Sequence, residues 1–397
     1  MSGVNEQPML NIPGGDQATA EKTVAKTETA PKKSSEAAPA IDLDTFLRMV
    51  VAQGVSDIHL RVGYPPMLRK DGDMMTTKLP QLTPDDVISF AKKVIPPKIL
   101  NMVRNRREYD FGFDFDASAR FRVNLFYEMN RPAMVLRVIP CRIPTLDDIG
   151  LPNYVKRFTE LNKGLVLVTG PTGAGKTTTL ASILNHINHN FQKHIITLED
   201  PVEYVYHNAK AVFTQRELGV DTDSFPNGLK YALRQDPDVI LIGEMRDRET
   251  ISSALHAAET GHLVFSTLHT TDAIQTINRI INIYEPHERE PVRKQLAAVL
   301  QGTVSQRLVR RAEGKGRIAV AEMMTVTPAV RDYIARNEMD EVYQLLQTGE
   351  FDGMCSLNIA LYRTYRNNLI KGEDALVVSD NPTELQQMFR GAFHGSG

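Results

Sequence analysis

Residues 170–177 read Gly-Pro-Thr-Gly-Ala-Gly-Lys-Thr, a complete G-x-x-x-x-G-K-[ST] phosphate loop, and no other stretch limits the fold of this chain so tightly. The apolar run Gly164-Leu-Val-Leu-Val-Thr169 leads into it and the helix-prone Thr178-Thr-Leu-Ala-Ser-Ile-Leu184 follows. A strand, a loop and a helix are therefore expected in that order. A glycine turn that merely exposes a lysine would need neither flank. Gly170, Gly173 and Gly175, with Pro171, Thr172 and Ala174 between them, let successive backbone N–H groups turn inward around a phosphate, with a helix N-terminus behind. Lys176 supplies a point charge for the β- and γ-phosphates, the Thr177 hydroxyl a ligand for Mg²⁺, and Thr178 the next position of the same rim. The implied ligand is a nucleoside triphosphate.

Acidic residues then fall where such a site needs them. Asp238-Val-Ile-Leu-Ile-Gly-Glu244 is a short apolar run followed by glycine and an acid, the pattern of a strand buried on both faces. In open α/β sheets ligands collect at the carboxyl ends of the strands, so Glu244 is expected to face the γ-phosphate and to orient the attacking water. A solvated strand end is the competing reading. The segment Ile196-Thr-Leu-Glu-Asp-Pro-Val-Glu-Tyr204 ends another apolar strand with three carboxylates, and Pro201 should put Glu199, Asp200 and Glu203 in a turn. The metal-binding aspartate common in phosphate-loop enzymes is Gly243 here, which makes Glu203 the candidate to support Mg²⁺, directly or through water. An ordinary acidic loop is the alternative. His262 and His269 flank the run Leu263-Val-Phe-Ser-Thr-Leu268, and extended chain of that length spans roughly 23 Å, so they cannot share one metal. His269 is expected near a phosphate or Glu244, and His262 at the turn after Gly261. Arg120, Arg122 and Arg137 lie on strands of an earlier domain. Arg122 and Arg137 point the same way if a hairpin joins those strands, either as solvated arginines or as charge compensation for phosphates across a domain or subunit boundary.

At 397 residues the chain is long for one core, and two domains with accessory segments are expected. Residues 1–40 lack bulky anchors and read as a disordered tail. Residues 41–143 read as a small α+β domain: a helix with Ile41, Leu43, Phe46, Leu47, Val50 and Val51 on one face, a hairpin at Asp71-Gly72, a helix capped by Thr83, and alternating strands at 109–115, 120–126 and 133–139. A linker at 144–150 leads into an α/β core over 151–320, with parallel strands expected at 164–169, 194–199, 211–214, 238–243 and 263–268. Residues 321–397 read as helical, with helices at 327–336, 338–348, 355–370 and 382–390. A net charge of −2 and the lack of a basic, aromatic-lined run argue against nucleic acid as a partner. No apolar run approaches the roughly 20 residues that span a bilayer, and no secretory h-region opens the chain, so a cytoplasmic location is expected. Two cysteines, Cys141 and Cys355, form neither a disulfide framework nor a zinc site.

Together these stretches resemble the secretion-type ATPases of bacterial type II secretion and type IV pilus machines. The phosphate loop, the acidic box 196–204, the Gly-Glu strand end 239–244 with its Met245-Arg-Asp247 extension, Glu259-Thr-Gly-His262 and Thr267-Leu-His269-Thr all match in order. Ser56-Asp-Ile-His-Leu60 and Arg120-Phe-Arg-Val-Asn124 match upstream, and the likeness covers roughly residues 42–392. It implies a RecA-like core behind a PAS-like first domain, ATP and Mg²⁺ as ligands, and a hexameric ring. The roles it implies are Glu244 as catalytic glutamate, Glu203 as its acidic-box partner, His262 and His269 as the histidine pair, and Arg122 and Arg137 as phosphate-sensing arginines. Extension and type II secretion members carry a four-cysteine zinc module that two isolated cysteines exclude, which points to the retraction branch. The branch's C-terminal Ala-Ile-Arg-x-Leu-Ile-Arg motif is met only loosely by Ala329-Val-Arg-Asp-Tyr-Ile-Ala335. By this likeness the chain works at the inner face of the cytoplasmic membrane with a membrane platform protein, indirectly with pilin, and alongside other pilus ATPases. An accessory retraction paralogue and a slowly hydrolysing regulatory module are the alternatives.

Overall fold

The structure, a computed structural model, describes residues 42–391 apart from 71, 101–102, 104–105 and 117–118. The expected tail over 1–40, Ile41 and the Asp71 half of the hairpin turn lie outside the described residues. The chain divides into two compact units between Cys141 and Arg142.

In the first unit six antiparallel strands form one sheet: β1 (Asp57–Arg61), β2 (Met67–Lys70), β3 (Asp73–Thr76), β4 (Tyr109–Asp116), β5 (Ala119–Glu128) and β6 (Arg131–Pro140), in the order β3-β2-β1-β6-β5-β4. Its helices form for legible reasons. Leu43, Phe46, Leu47 and Val50 recur at helical spacing and are buried, and the Asp42 carboxylate caps Leu43–Ala52 by accepting from Thr45 N. Thr83 and Asp86 close a reciprocal capping box on Pro84–Val94. Along β5, Ala119, Phe121, Val123 and Leu125 face inward, which puts Arg120, Arg122 and Asn124 on the opposite face.

The second unit is built on a seven-stranded sheet: β7 (Gly164–Thr169), β8 (His194–Glu199), β9 (Val212–Glu217), β10 (Val239–Ile242), β11 (Leu263–Leu268), β12 (Leu300–Arg310) and β13 (Arg317–Thr325). The order is β13-β12-β7-β11-β10-β8-β9, parallel throughout except for β13. β7, β10 and β11 are buried at every position, as strands covered on both faces must be. The helices Lys176–Asn190, Phe225–Ala232, Arg248–Glu259, Ala273–Asn282 and Arg289–Val299 intervene between the strands.

Two expectations need correction. The strand expected at 211–214 runs Val212–Glu217. More consequentially, β12 and β13 were not anticipated, and the border drawn at residue 320 falls inside β13, whose residues Arg317 to Thr325 pair one for one with Arg310 to Gly302. The helical region therefore begins only at Pro328, with Pro328–Arg336, Met339–Thr348, Leu357–Arg366, Gly372–Val378 and Pro382–Phe389.

Candidate active site

The carboxyl ends of β7, β11 and β10 lie side by side, because Thr169 is in register with Leu268 and Ile242 with Ser266. β7 leads directly into residues 170–175, and the helix Lys176–Asn190 starts from Gly175, which has φ +89° and no side-chain cap above it. A left-handed backbone there is open to glycine at little cost. Lys176 is buried, and its ammonium donates to the carbonyls of Gly170 at 2.8 Å and Pro171 at 3.2 Å. Burial lowers the Lys176 pKa, and the nearby Glu244 charge acts in the opposite sense.

Glu244 follows β10 on a turn pinned from both sides. Gly243 N donates to Leu198 O (2.8 Å), Met245 N to Thr267 O (3.1 Å), and the Thr267 hydroxyl to Gly243 O (2.7 Å). Its Oε2 lies 2.7 Å from Arg246 Nε and 3.5 Å from His269 Nε2. His269 Nδ1 is in turn 3.5 Å from Lys176 Nζ. An ammonium only donates, so Nδ1 must be the acceptor, which leaves the ring proton on Nε2, facing the carboxylate. Lys176, His269 and Glu244 thus form one polar chain from the phosphate loop to the acid, and Arg246 adds a second cation. Such a carboxylate, fixed beside a cation-lined loop, is equipped to orient a water and to accept its proton.

The acidic box follows β8, the neighbour of β10 in the sheet. Glu199 is the last residue of β8 and is buried, not in the turn where it was expected, and burial pushes its carboxyl up to about 7. Gln215 Nε2 reaches it at 3.4 Å. Past the cis Asp200–Pro201 bond, Glu203 is half-buried in the connecting segment, and the next residue, Tyr204, places its hydroxyl 3.2 Å from Thr178 Oγ1. That contact brings the box to the first turn of the helix on the phosphate loop. Thr177 is exposed there. Among the described residues no cluster of three or more His, Cys, Asp or Glu forms a metal cage. The donors at hand are hydroxyl and carboxylate oxygens, the set that suits a hard cation keeping waters and phosphate oxygens as its other ligands.

His262 is not brought to this site. It stands at the amino end of β11, where its carbonyl accepts from Gly164 N, and its Nδ1 lies 3.0 Å from Ala257 O and 3.3 Å from Thr260 Oγ1. It orders the turn around Gly261. In the first unit Arg122 and Arg137 are direct cross-strand partners on one face. Arg137 Nε donates to Asp57 Oδ1 at 2.8 Å, with buried Asp57 held by the Ser56 hydroxyl, and Arg122 lies 3.8 Å from Asp110. Arg120 pairs instead with Asp114. Arg246 and Tyr204 were missed as site residues although both lie inside motifs already singled out.

Residues 33–357 match the model of the type II/IV secretion system protein family. The type IV pilus retraction ATPase PilT of Pseudomonas aeruginosa is 42% identical over 84% of this chain and 97% of its own length. The chain belongs to the PilT-type secretion ATPases. The type IV pilus ATPase PilU of Pseudomonas aeruginosa is 38% identical over 88% of this chain and 92% of its own length. A crystal structure of the pilus retraction motor PilT with bound ADP superposes with a TM-score of 0.80 at 43% identity, covering 88% of this chain and 100% of that one. The PilT-type ATPase fold expected from the motifs is therefore the fold observed, and the chain is an ATPase of this family that binds nucleotide. Among the described residues no helix is long and apolar enough to cross a membrane.

Proposed function

We propose that this chain is the motor that retracts a type IV pilus, working as a homohexamer at the cytoplasmic face of the inner membrane against a membrane platform protein and, through it, on pilin. The observation that carries the reading is the chain of contacts Lys176–His269–Glu244, which ties the acid to the phosphate loop through a residue able to feel both. A module that only bound nucleotide would need no such acid. In this reading the backbone of 170–175, Lys176 and Thr178 hold ATP, and Thr177, with Glu203 directly or through water, holds the Mg²⁺ that neutralises phosphate charge. Glu244 orients the attacking water and takes its proton, His269 and Arg246 set its position, and Arg122 and Arg137 act on phosphate when the first unit meets a nucleotide site in its own or a neighbouring copy.

Glu244→Gln keeps shape and hydrogen bonding but removes the base. It should leave ATP binding near wild type while turnover falls by about two to four orders of magnitude. Cells carrying the variant should keep their surface pili and lose twitching. Near-normal hydrolysis would remove Glu244 from its role. Undisturbed twitching beside abolished hydrolysis would move the chain to an accessory place next to a second retraction ATPase, the role suggested by the loosely kept 329–335 segment.

A further inference from the structure

Gln306 lies on β12, 132 residues from the phosphate loop in sequence, yet it is the residue that backs the loop. It is 2% exposed, and both ends of its side-chain amide are used: Nε2 donates to Ala174 O at 2.7 Å, and Oε1 accepts from the Thr179 hydroxyl at 2.7 Å. The assignment of the two ends is forced, because a backbone carbonyl only accepts. A β-carbon on Gly175 would stand 2.9 Å from Gln306 Nε2, and one on Gly170 would run into the Gln306 backbone oxygen. The rear of the loop is therefore moulded on this one residue.

The consequence follows from peptide geometry. In a planar trans peptide the C=O and N–H bonds point in opposite directions, so a grip on the Ala174 carbonyl fixes where the Gly175 N–H points. With the carbonyl held to the rear, that N–H faces the concave front where a phosphate would sit. We propose that Gln306 is a positioning residue for the nucleotide site, which aims the Gly175 N–H by holding the Ala174 carbonyl and is itself held by Thr179. The inference rests on the reading of 170–177 as the nucleotide site.

The test uses the full chain with ADP binding, steady-state ATP hydrolysis and melting without nucleotide. Gln306→Leu removes the donor and leaves the Ala174–Gly175 peptide able to rotate. It should weaken ADP binding about tenfold, the scale of one buried bond left unmade, and raise KM for ATP more than it lowers kcat. Thr179→Val should reproduce part of that loss, Thr179→Ser should recover it, and Thr179→Val added to Gln306→Leu should cost nothing more. If Gln306→Leu does not fold, the Thr179 pair carries the test alone. Wild-type ADP affinity in Gln306→Leu, or in Thr179→Val, overturns the assignment. So does a loss of affinity that only follows a lowered melting temperature and that Thr179→Ser leaves unrepaired. Lys176→Ala separates the two levels. If it abolishes ADP binding while Gln306→Leu does not disturb it, Gln306 alone is wrongly placed. If Lys176→Ala binds normally, the nucleotide-site reading falls and this inference with it.

Discussion

Two carboxyls behave as buried acids and set a pH signature. Glu199 is pushed up to about 7 by burial first, with Glu203 adding to the shift, and Glu322 to about 7 by burial, although the Ala273 N–H it accepts at 2.8 Å acts against the shift. Unfolded, both titrate near 4.5. Between those values the folded chain holds protons that the unfolded chain releases, so their contribution is complete below pH 4.5 and is lost as pH rises through about 7. A fully expressed shift of that size amounts to about 3 kcal/mol per group. Glu199→Gln and Glu322→Gln should each flatten the pH dependence of urea stability between about pH 5 and pH 8 and leave the variant more stable than wild type at the upper end. Profiles parallel to wild type would show that the carboxyls are ionised when folded. At this scale the site was readable where one strand end carried both position and chemistry. Glu244 and His269 stand just past their strands, Lys176 at the end of the loop that follows β7, and the structure joins them. The resemblance pairs His262 with His269, but His262 sits at the other end of the same strand, a distinction that the strand's length alone already contained. Gln306 could not be read, because its partners are Ala174 and Thr179 and nothing local marks a glutamine as their neighbour.

Among the elements, β12 and β13 separate what a sequence displays from what it withholds. β7, β10 and β11 read as strands because burial on both faces demands unbroken apolar runs. β12 is nearly as buried but carries Ser305, Gln306 and Arg307, and β13 carries Glu322. These residues are tolerated because distant groups satisfy them: Ser305 Oγ accepts from the Thr169 hydroxyl at 3.0 Å, and Arg307 reaches Thr271 O at 3.1 Å and Asp380 at 3.2 Å. No hydropathy pattern reports a partner that lies 36 to 136 residues away. The close packing of this hairpin gives a prediction of its own. A β-carbon on Gly302 would stand 2.6 Å from Met324 O and press on the Phe158 ring. Gly302→Ala should therefore destabilise the fold by about 1–3 kcal/mol, read as a lower urea midpoint. An unmoved midpoint would mean that β12 shifts freely against β13.

For the whole molecule, the pairing of Arg122 with Arg137 suggests that the active form is assembled. Cross-strand like charges repel when they stand opposite each other, and here Asp57 pairs with Arg137 and Asp110 lies 3.8 Å from Arg122. If the pair meets phosphate only when copies associate, specific ATPase activity should rise with protein concentration in step with oligomer mass, and Arg137→Ala should lower the plateau without changing the mass. Constant turnover from a demonstrated monomer would count against a ring. A different consequence comes from where β7 lies. It has β11 on one side and β12 on the other, and these are backed by β10 and β13. Its amides can exchange with solvent only when the centre of the sheet opens, so in deuterium they should be among the slowest of the second unit, with ATP or without. The phosphate loop is thus hung from the part of this machine that yields last.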